Sequence, residues 1–372
     1  MRRISVPLGE RSYDVYVGYD VLDQLPGALL QLDLKGKAMV VTNPRINSLY
    51  GDLLCRRMRE AGFETLAVEI PDGEVYKSLE TAHTLYDSLV THGFERRSLI
   101  VALGGGVVGD LAGFVAATFM RGVPYVQVPT TLLAQVDSSV GGKVAVNHSK
   151  GKNLIGTFYQ PSLVWIDTKT LETLPKRQFF SGLAEVTKYG VVADEQLFRY
   201  SEDNAWRLKG LNQEVLQEVI ARSCSIKAKI VSCDEREGGL RTILNYGHTV
   251  GHALETVTNY EFYTHGEAVA IGMTSSMMIS QRMGLTAGEE SHRQQRLLEA
   301  FNLPTAIRGD IELDALLQTL RRDKKALNGR IRFVLPKAIG QVLVTDQVHT
   351  EILQEVLEEQ ARAGHLLGRQ MS

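Results

Sequence analysis

The sequence predicts two domains: an α/β N-terminal domain of the doubly wound, Rossmann-like kind, then a mainly α-helical C-terminal domain whose histidines point to a metal. Three observations carry this. Apolar strand-length runs alternate with helix-length amphipathic stretches from Ala38 to Ile166. A glycine-rich run, Gly104 to Asp110, directly follows one of those strands. After Pro175-Lys176-Arg177 the rhythm turns helical, and three of the nine histidines fall between Arg241 and Glu267.

Taken in order, Ile4 to Leu8 and Tyr13 to Val17 alternate apolar and polar around Gly9-Glu10, an opening hairpin. Ala38 to Thr42 is a buried-strand run, Leu49 to Ala61 a helix, Thr65 to Ile70 a strand and Leu79 to His92 an amphipathic helix. Leu99 to Leu103 is a strand, Val108 to Phe119 a helix, and Tyr125 to Val128 and Leu163 to Ile166 are strands. Strands and helices in this alternation pair in parallel through right-handed crossovers, and ligands then bind at the carboxyl ends of the strands. The second domain reads as helices at Gly182 to Gly190, Leu211 to Val231, Glu267 to Met283, Glu290 to Ala300, Ile311 to Arg321 and His349 to Ala363. Ile331 to Leu335 and Gln341 to Thr345 form a small ribbon. Met273, Met277 and Met278 read as core. The boundary falls near residue 178, giving domains 1–178 and 179–372.

His248 and His252 are four apart, so on a helix they sit about 40° from each other on one face, and Glu255 extends that face. Such a pair is either a hydrogen-bonded structural pair or a set of metal ligands; His265, Asn245 and Arg241 nearby favour the metal. Thr249 follows His248 where a zincin requires Glu. A site of two histidines and one carboxylate needs its carboxylate from elsewhere. Glu185 and Lys188, three apart on one helical face, read by themselves as a surface ion pair. The glycine run lets backbone N–H groups approach a phosphate at a helix N-terminus, although it also fits a tight strand-to-helix turn. The acid that binds ribose about 20 residues further on in standard dinucleotide folds is absent, that region being Pro124-Tyr125-Val126-Gln127. A nucleotide would therefore bind in a non-standard way.

A net charge of −2 offers no electrostatic footprint for nucleic acid or an anionic membrane. Three cysteines without a CxxC argue against a disulfide framework or structural zinc and fit a reducing, cytoplasmic setting. No apolar run reaches the ~18 residues of a membrane span, and the N-terminus lacks a signal-peptide core.

Set in register, Asp72 to Lys77, Gly104 to Asp110, Pro129-Thr130-Thr131, Gln135 to Lys143, Ser181 to Gly190, Asn245 to His252 and His265-Gly266-Glu267 closely resemble the 3-dehydroquinate synthase family of sugar phosphate cyclases. The match runs from about Val40 to Leu335. The resemblance implies conversion of 3-deoxy-D-arabino-heptulosonate 7-phosphate to 3-dehydroquinate and phosphate with NAD and one divalent ion, zinc or cobalt. It makes Glu185, His248 and His265 the metal ligands. It assigns NAD contacts to Asp72, Gly73, Glu74, Val75, Tyr76 and Lys77, to Gly106, Val107, Val108, Gly109 and Asp110, to Thr130 and Thr131, to Lys143 and Lys152, and to Thr170, Leu171, Glu172 and Thr173. Its substrate positions are Arg121, Asp137, Lys143, Lys152, Asn153, Lys188, Lys227, Arg241, Asn245 and His252, with a further lysine at Lys324 or Lys325. In the family, the counterpart of Arg121 reaches into a neighbouring subunit, which implies a homodimer. Tyr246 and Thr187 stand where other apolar residues are common.

The substrate so implied, a sugar acid phosphate, needs a local pocket of Lys and Arg, with Arg241 suited to a carboxylate and lysines to phosphate. His252 is the general acid/base candidate, alongside the substrate's own phosphate. The rival readings are a metal-dependent NAD polyol dehydrogenase of the same two-domain plan, a related cyclase making another carbocycle, and a non-catalytic NAD and metal sensor. A polyol dehydrogenase would not need Lys143, Lys152, Lys227 and Arg241 together, and a sensor would have lost catalytic side chains.

Overall fold

The computed structural model describes the backbone of residues 1–326 and 331–370, and the side chains of all of these except 322–326 and 367–370. The chain divides into two compact units, Met1–Leu174 with Leu216–Arg236, and Pro175–Val215 with Glu237–Ser372.

In the first unit the opening hairpin forms as β1 (Arg2–Val6) and β2 (Tyr13–Gly18), antiparallel from Arg2 opposite Val17 to Val6 opposite Tyr13. β3 (Lys37–Thr42), β4 (Glu64–Glu69), β5 (Leu99–Gly104) and β6 (Tyr125–Pro129) follow. After a separate antiparallel pair, β7 (Lys143–His148) and β8 (Gly151–Phe158), comes β9 (Leu163–Asp167). One seven-stranded sheet runs in the order β1-β2-β9-β6-β5-β3-β4, parallel except at β1.

Alternate residues of the central strands feed two cores. Met39, Val41, Ile100 and Ala102 meet Leu85, Leu89, Leu111 and Val115 on one face. Ala38, Val40, Leu99, Val101 and Leu103 meet Leu25, Leu29, Leu54 and Met58 on the other. Burial on both faces, worth about 1.5–3 kcal/mol for each large side chain, is why β5, β6 and β9 read as unbroken apolar runs. From β3 the chain steps outward to β4 and then returns to the opposite side of β3 as β5. That reversal places a topological switch point at the carboxyl ends of β3 and β5, where open α/β sheets form their ligand crevice.

The second unit packs helices Lys176–Ala193, Glu195–Asp203, His248–Val257, His265–Arg282, Gly288–Ala300, Leu313–Ala326 and Thr350–Gln370 with a ribbon of β10 (Phe333–Ala338) and β11 (Gln341–Thr345). Val250, Leu254, Ile271, Leu316, Phe333 and Val356 form its core. Met273 and Met277 are buried, in keeping with their reading as core.

The expected boundary at residue 178 differs from this division in one respect. Helix Gln213–Cys233, expected in the second domain, belongs from Leu216 onward with the first unit. Its Cys224 Sγ lies 3.2 Å from the Gln135 carbonyl, Lys227 pairs with Asp137, and just beyond it Glu235 accepts from Arg11 at 2.6 Å and Gln160 at 2.9 Å. Amphipathic periodicity reports that a helix has a buried face and not which layer covers it. Among the described residues no helix is long and apolar enough to cross a membrane.

Candidate metal centre and nucleotide site

Three elements of the second unit converge on one carboxylate. Glu185 lies within helix Lys176–Ala193 and is fully buried beside the equally buried Lys188, its ion-pair partner. The surface ion pair is therefore overturned: this face of the helix is covered. Lys188 Nζ also lies 5.1 Å from the Tyr189 ring centroid.

His248 opens helix His248–Val257 behind Gly247, whose φ of +79° is the left-handed conformation that glycine supplies without strain. His265 opens helix His265–Arg282 behind a capping box: Thr264 Oγ1 accepts from Glu267 N, and Glu267 Oε2 accepts from Thr264 N at 2.8 Å. Arg177 grips Glu267 through two hydrogen bonds of 2.7 Å. Between ligand and cap, Gly266 donates to Ser181 Oγ at 2.9 Å, and a Cβ there would stand 1.9 Å from the Ser181 carbonyl oxygen. A Cβ on Gly272 would likewise stand 1.9 Å from the Gly247 carbonyl oxygen. The two histidine helices thus touch backbone to backbone, with the His248 and His265 ring centroids 5.3 Å apart.

Glu185 Oε1 lies 3.5 Å from His265 Nε2 and 3.7 Å from His248 Nε2. Those separations exceed the 2.7–3.2 Å range of a good hydrogen bond, and Lys188 Nζ pairs with Oε2, which leaves Oε1 toward the two imidazoles. Two ligands about 2.0–2.2 Å from a tetrahedral cation stand roughly 3.3–3.5 Å from each other. The spacing therefore suits a shared divalent ion, and all three ligand atoms lie within 4.8 Å of one another. A donor set of two imidazoles and a carboxylate suits zinc and other first-row divalent ions.

His248 Nδ1 is 3.0 Å from the Tyr246 carbonyl oxygen. A carbonyl can only accept, so the proton sits on Nδ1 and the Nε2 lone pair faces Glu185. Burial, reinforced by Lys188, His252 and His265, holds the His248 pKa well below the usual imidazole value, keeping the ring in its neutral, ligand form. For His265, burial alone would lower the pKa, but the adjoining carboxylates of Glu185 and Glu255 push it up to about 10.

His252 lies one turn beyond His248, exposed, with its ring centroid 5.2 Å from that of His248. Arg241 is buried in the 3₁₀ segment Leu240–Asn245, and Asn245 Nδ2 donates to Glu237 Oε1 at 2.8 Å. Glu237 was not anticipated, since the charged run around it reads as a plain turn. Of the expected residues, Glu185, His248, His252 and His265 are thus gathered, with Lys188 against Glu185. The side chains of Lys324 and Lys325 lie outside the described residues.

In the first unit, four of the expected nucleotide segments fall at the carboxyl ends of strands, whereas Lys143 and Lys152 lie at the starts of β7 and β8. Asp72 to Lys77 follow β4, Gly106 to Asp110 follow β5, Thr130 and Thr131 follow β6, and Thr170 to Thr173 follow β9. Helix Gly106–Thr118 begins at the β5 end, where a Cβ on Gly105 would stand 3.0 Å from Thr131 and one on Gly106 3.3 Å from Ser138 Oγ. That cradle of small residues beside free helix N–H groups accommodates a phosphate.

Lys77 Nζ binds Asp110 Oδ2 at 2.9 Å and Asn153 Oδ1 at 2.5 Å, and Glu74 Oε1 lies 3.4 Å away. Burial would lower the Lys77 pKa, but Asp110 and Glu74 outweigh it and raise it. Asn147, not anticipated, ties the same loop to the β7–β8 pair: its Nδ2 donates to Glu74 Oε1 at 2.9 Å and its Oδ1 accepts from Asn153 N at 2.9 Å. Lys152 Nζ reaches 4.0 Å from Glu74, and exposed Lys143 begins β7. Lys227 Nζ bonds both the carboxylate and the carbonyl of Asp137, the latter at 2.8 Å. Arg121 is exposed, with φ of +66° directly after Met120 at +49°. It is not brought into the Lys77 network.

A switch-point sheet with a phosphate cradle, joined to a helical unit holding a His–His–Glu set, defines a two-unit protein of the nucleotide- and metal-binding class. Residues 67–181 match the family model described as 3-dehydroquinate synthase N-terminal, and residues 182–326 match 3-dehydroquinate synthase C-terminal. The chain belongs to the 3-dehydroquinate synthase family. A 3-dehydroquinate synthase from Thermodesulfovibrio yellowstonii is 46% identical over 359 residues, 96% of this chain and 100% of that protein. Among solved structures, a 2-deoxy-scyllo-inosose synthase complexed with carbaglucose-6-phosphate, NAD+ and Co2+ superposes with a TM-score of 0.89 at 27% identity, covering 96% of this chain and 100% of the other. The 2-epi-5-epi-valiolone synthase from Streptomyces hygroscopicus subsp. jinggangensis 5008, with NAD+ and Zn2+ bound, gives 0.87 at 28% identity, covering 94% and 97%.

Proposed function

We propose that this chain is a carbon–oxygen lyase of the shikimate pathway, converting 3-deoxy-D-arabino-heptulosonate 7-phosphate to 3-dehydroquinate and phosphate. The reaction is transient oxidation of a ring hydroxyl, β-elimination of phosphate, reduction, ring opening and intramolecular aldol closure. The observation that carries the reading is Glu185: fully buried, paired with Lys188 through Oε2, with Oε1 faced by His265 Nε2 at 3.5 Å and His248 Nε2 at 3.7 Å.

Glu185, His248 and His265 hold one zinc or cobalt ion in this reading, and the strand-end loops from Asp72 to Thr173 hold NAD. When bound, NAD accepts and returns one hydride, and the ion acidifies the hydroxyl being oxidised. Arg241 grips the substrate carboxylate and Asn245 orients its hydroxyls. Lys143, Lys152, Lys188 and Lys227 neutralise phosphate and developing alkoxide charge, Asn153 donates a hydrogen bond to it, and Asp137 sets the position of Lys227. His252 moves the proton at the ring, exposed and one turn from His248. Arg121 reaches a second copy of the chain in a cytoplasmic homodimer.

The test is an assay of metal-replete protein with the heptulosonate phosphate and a trace of NAD, following phosphate and NADH together. Phosphate far in excess of the NAD supplied, without NADH accumulation, is expected. NADH accumulating on a simple polyol, with no phosphate released, would replace this reading by a polyol dehydrogenase. His252→Ala should keep metal and NAD yet turn over roughly 10²-fold more slowly, the usual scale for an acid/base group.

A further inference from the structure

Glu255 stands outside every role assigned above. It lies on helix His248–Val257, one turn past His252, and is 7% exposed. Its Oε1 is 3.4 Å from His265 Nδ1, a long hydrogen bond. The opposite nitrogen of that ring, Nε2, faces Glu185. One imidazole is thus bracketed by two buried carboxylates of different helices, one at each nitrogen.

A neutral imidazole has a single N–H. If Nε2 gives its lone pair to a cation, the proton must sit on Nδ1, where Glu255 can accept it. A carboxylate in that place fixes the tautomer and the ring's rotation and makes Nε2 a stronger donor. His265 needs such help more than His248 does. His248 is already fixed by the Tyr246 carbonyl at its Nδ1, 3.0 Å away, whereas His265 stands at the first residue of its helix.

We infer that Glu255 is a positioning residue for metal binding: it holds His265 through Nδ1–H with Nε2 presented to the ion. This rests on Glu185, His248 and His265 being the ligands. His252, Glu255 and His265 also lie close enough to form a second three-ligand group. A cation there, alongside one on Glu185, His248 and His265, would need both nitrogens of His265 stripped of protons at once, which a hydrogen bond to Glu255 does not require.

The experiment uses the full-length protein, with zinc and cobalt affinity measured by chelator competition and metal-free stability measured by thermal unfolding. Glu255→Ala is expected to weaken either metal about 10- to 100-fold, the usual effect of removing such a partner, with a changed cobalt absorption spectrum and one ion per chain. Glu255→Gln, which keeps volume and an acceptor oxygen, should lose less. Unchanged affinity and cobalt spectrum in Glu255→Ala would overturn the inference. So would a wild-type stoichiometry of two ions that falls to one in both Glu255→Ala and His252→Ala, since Glu255 would then be a ligand. A stability loss in metal-free Glu255→Ala without a metal effect would assign it a structural role instead. Glu185→Gln separates the two readings: metal retained in that variant would sink the ligand set itself.

Discussion

Lys188 and Glu185 sit together without exposure, and removing one partner of such a pair leaves an uncompensated charge in the interior. Lys188→Met should therefore destabilise the metal-free protein in urea unfolding, by less than the roughly 3–5 kcal/mol of a fully orphaned charge, because His265 remains beside Glu185. Saturating zinc should recover part of that loss, because a cation bound to Glu185 replaces the missing positive charge. A second residue-scale prediction concerns the thiols. Burial pushes Cys224 up to about 12, whereas Cys233 is exposed. A thiol-specific reagent at pH 8 should label Cys233 rapidly and leave Cys224 unlabelled until urea unfolds the protein. The folded value lies above the ordinary 9, so the stability linked to Cys224 is fully present below pH 9 and is lost as pH rises toward 12. Comparing unfolding of wild type and Cys224→Ala between pH 8 and 11 checks that sign.

Between residues and elements stands the His265-Gly266-Glu267 run, in which each member has a separate task. His265 faces Glu185, Gly266 lets its helix meet the Ser181 backbone, and Glu267 closes the capping box while anchored by Arg177. Gly266→Ala should force that helix away from Ser181, costing at least 1–3 kcal/mol and most of the bound metal. Thermal unfolding and metal content check it; a wild-type metal content would contradict this account of the close approach. The histidines were legible from helical spacing, and the parallel strands from apolar runs covered on both faces. Glu185 was not, because its approach to His248 and His265 is made by packing between elements far apart in sequence. Taken alone it read as a surface ion pair, and only the resemblance marked it as a ligand. The β7–β8 pair escaped because Gly151–Phe158 is half-exposed to exposed along its whole length, so no apolar alternation marks it.

For the whole molecule, segment Leu216–Arg236 belongs with a sheet completed far earlier in the chain. Cys224, Lys227 and Glu235 close over Gln135, Asp137, Arg11 and Gln160. A fragment ending at residue 178 would leave those partners exposed. It should show fast amide exchange around Ala134–Ser138, slowed by adding back residues 216–236 as a peptide or by a fusion that restores them. Native-like protection in the bare fragment would contradict that dependence. Sequence periodicity placed the boundary where strands give way to helices, near 178, because it cannot register a helix that returns to an earlier layer.

The same return has a consequence for synthesis on the ribosome. When Leu174 has been joined, the first unit still lacks the segment that ends at Arg236, roughly 60 residues later. At about 5–20 residues per second, that leaves the unit incomplete for about 3–12 s, with its Gln135 and Asp137 surface uncovered while the next helices are already being made. Folding of this protein during translation therefore cannot proceed strictly one unit after the other, and the first unit closes only when residues 216–236 have been made.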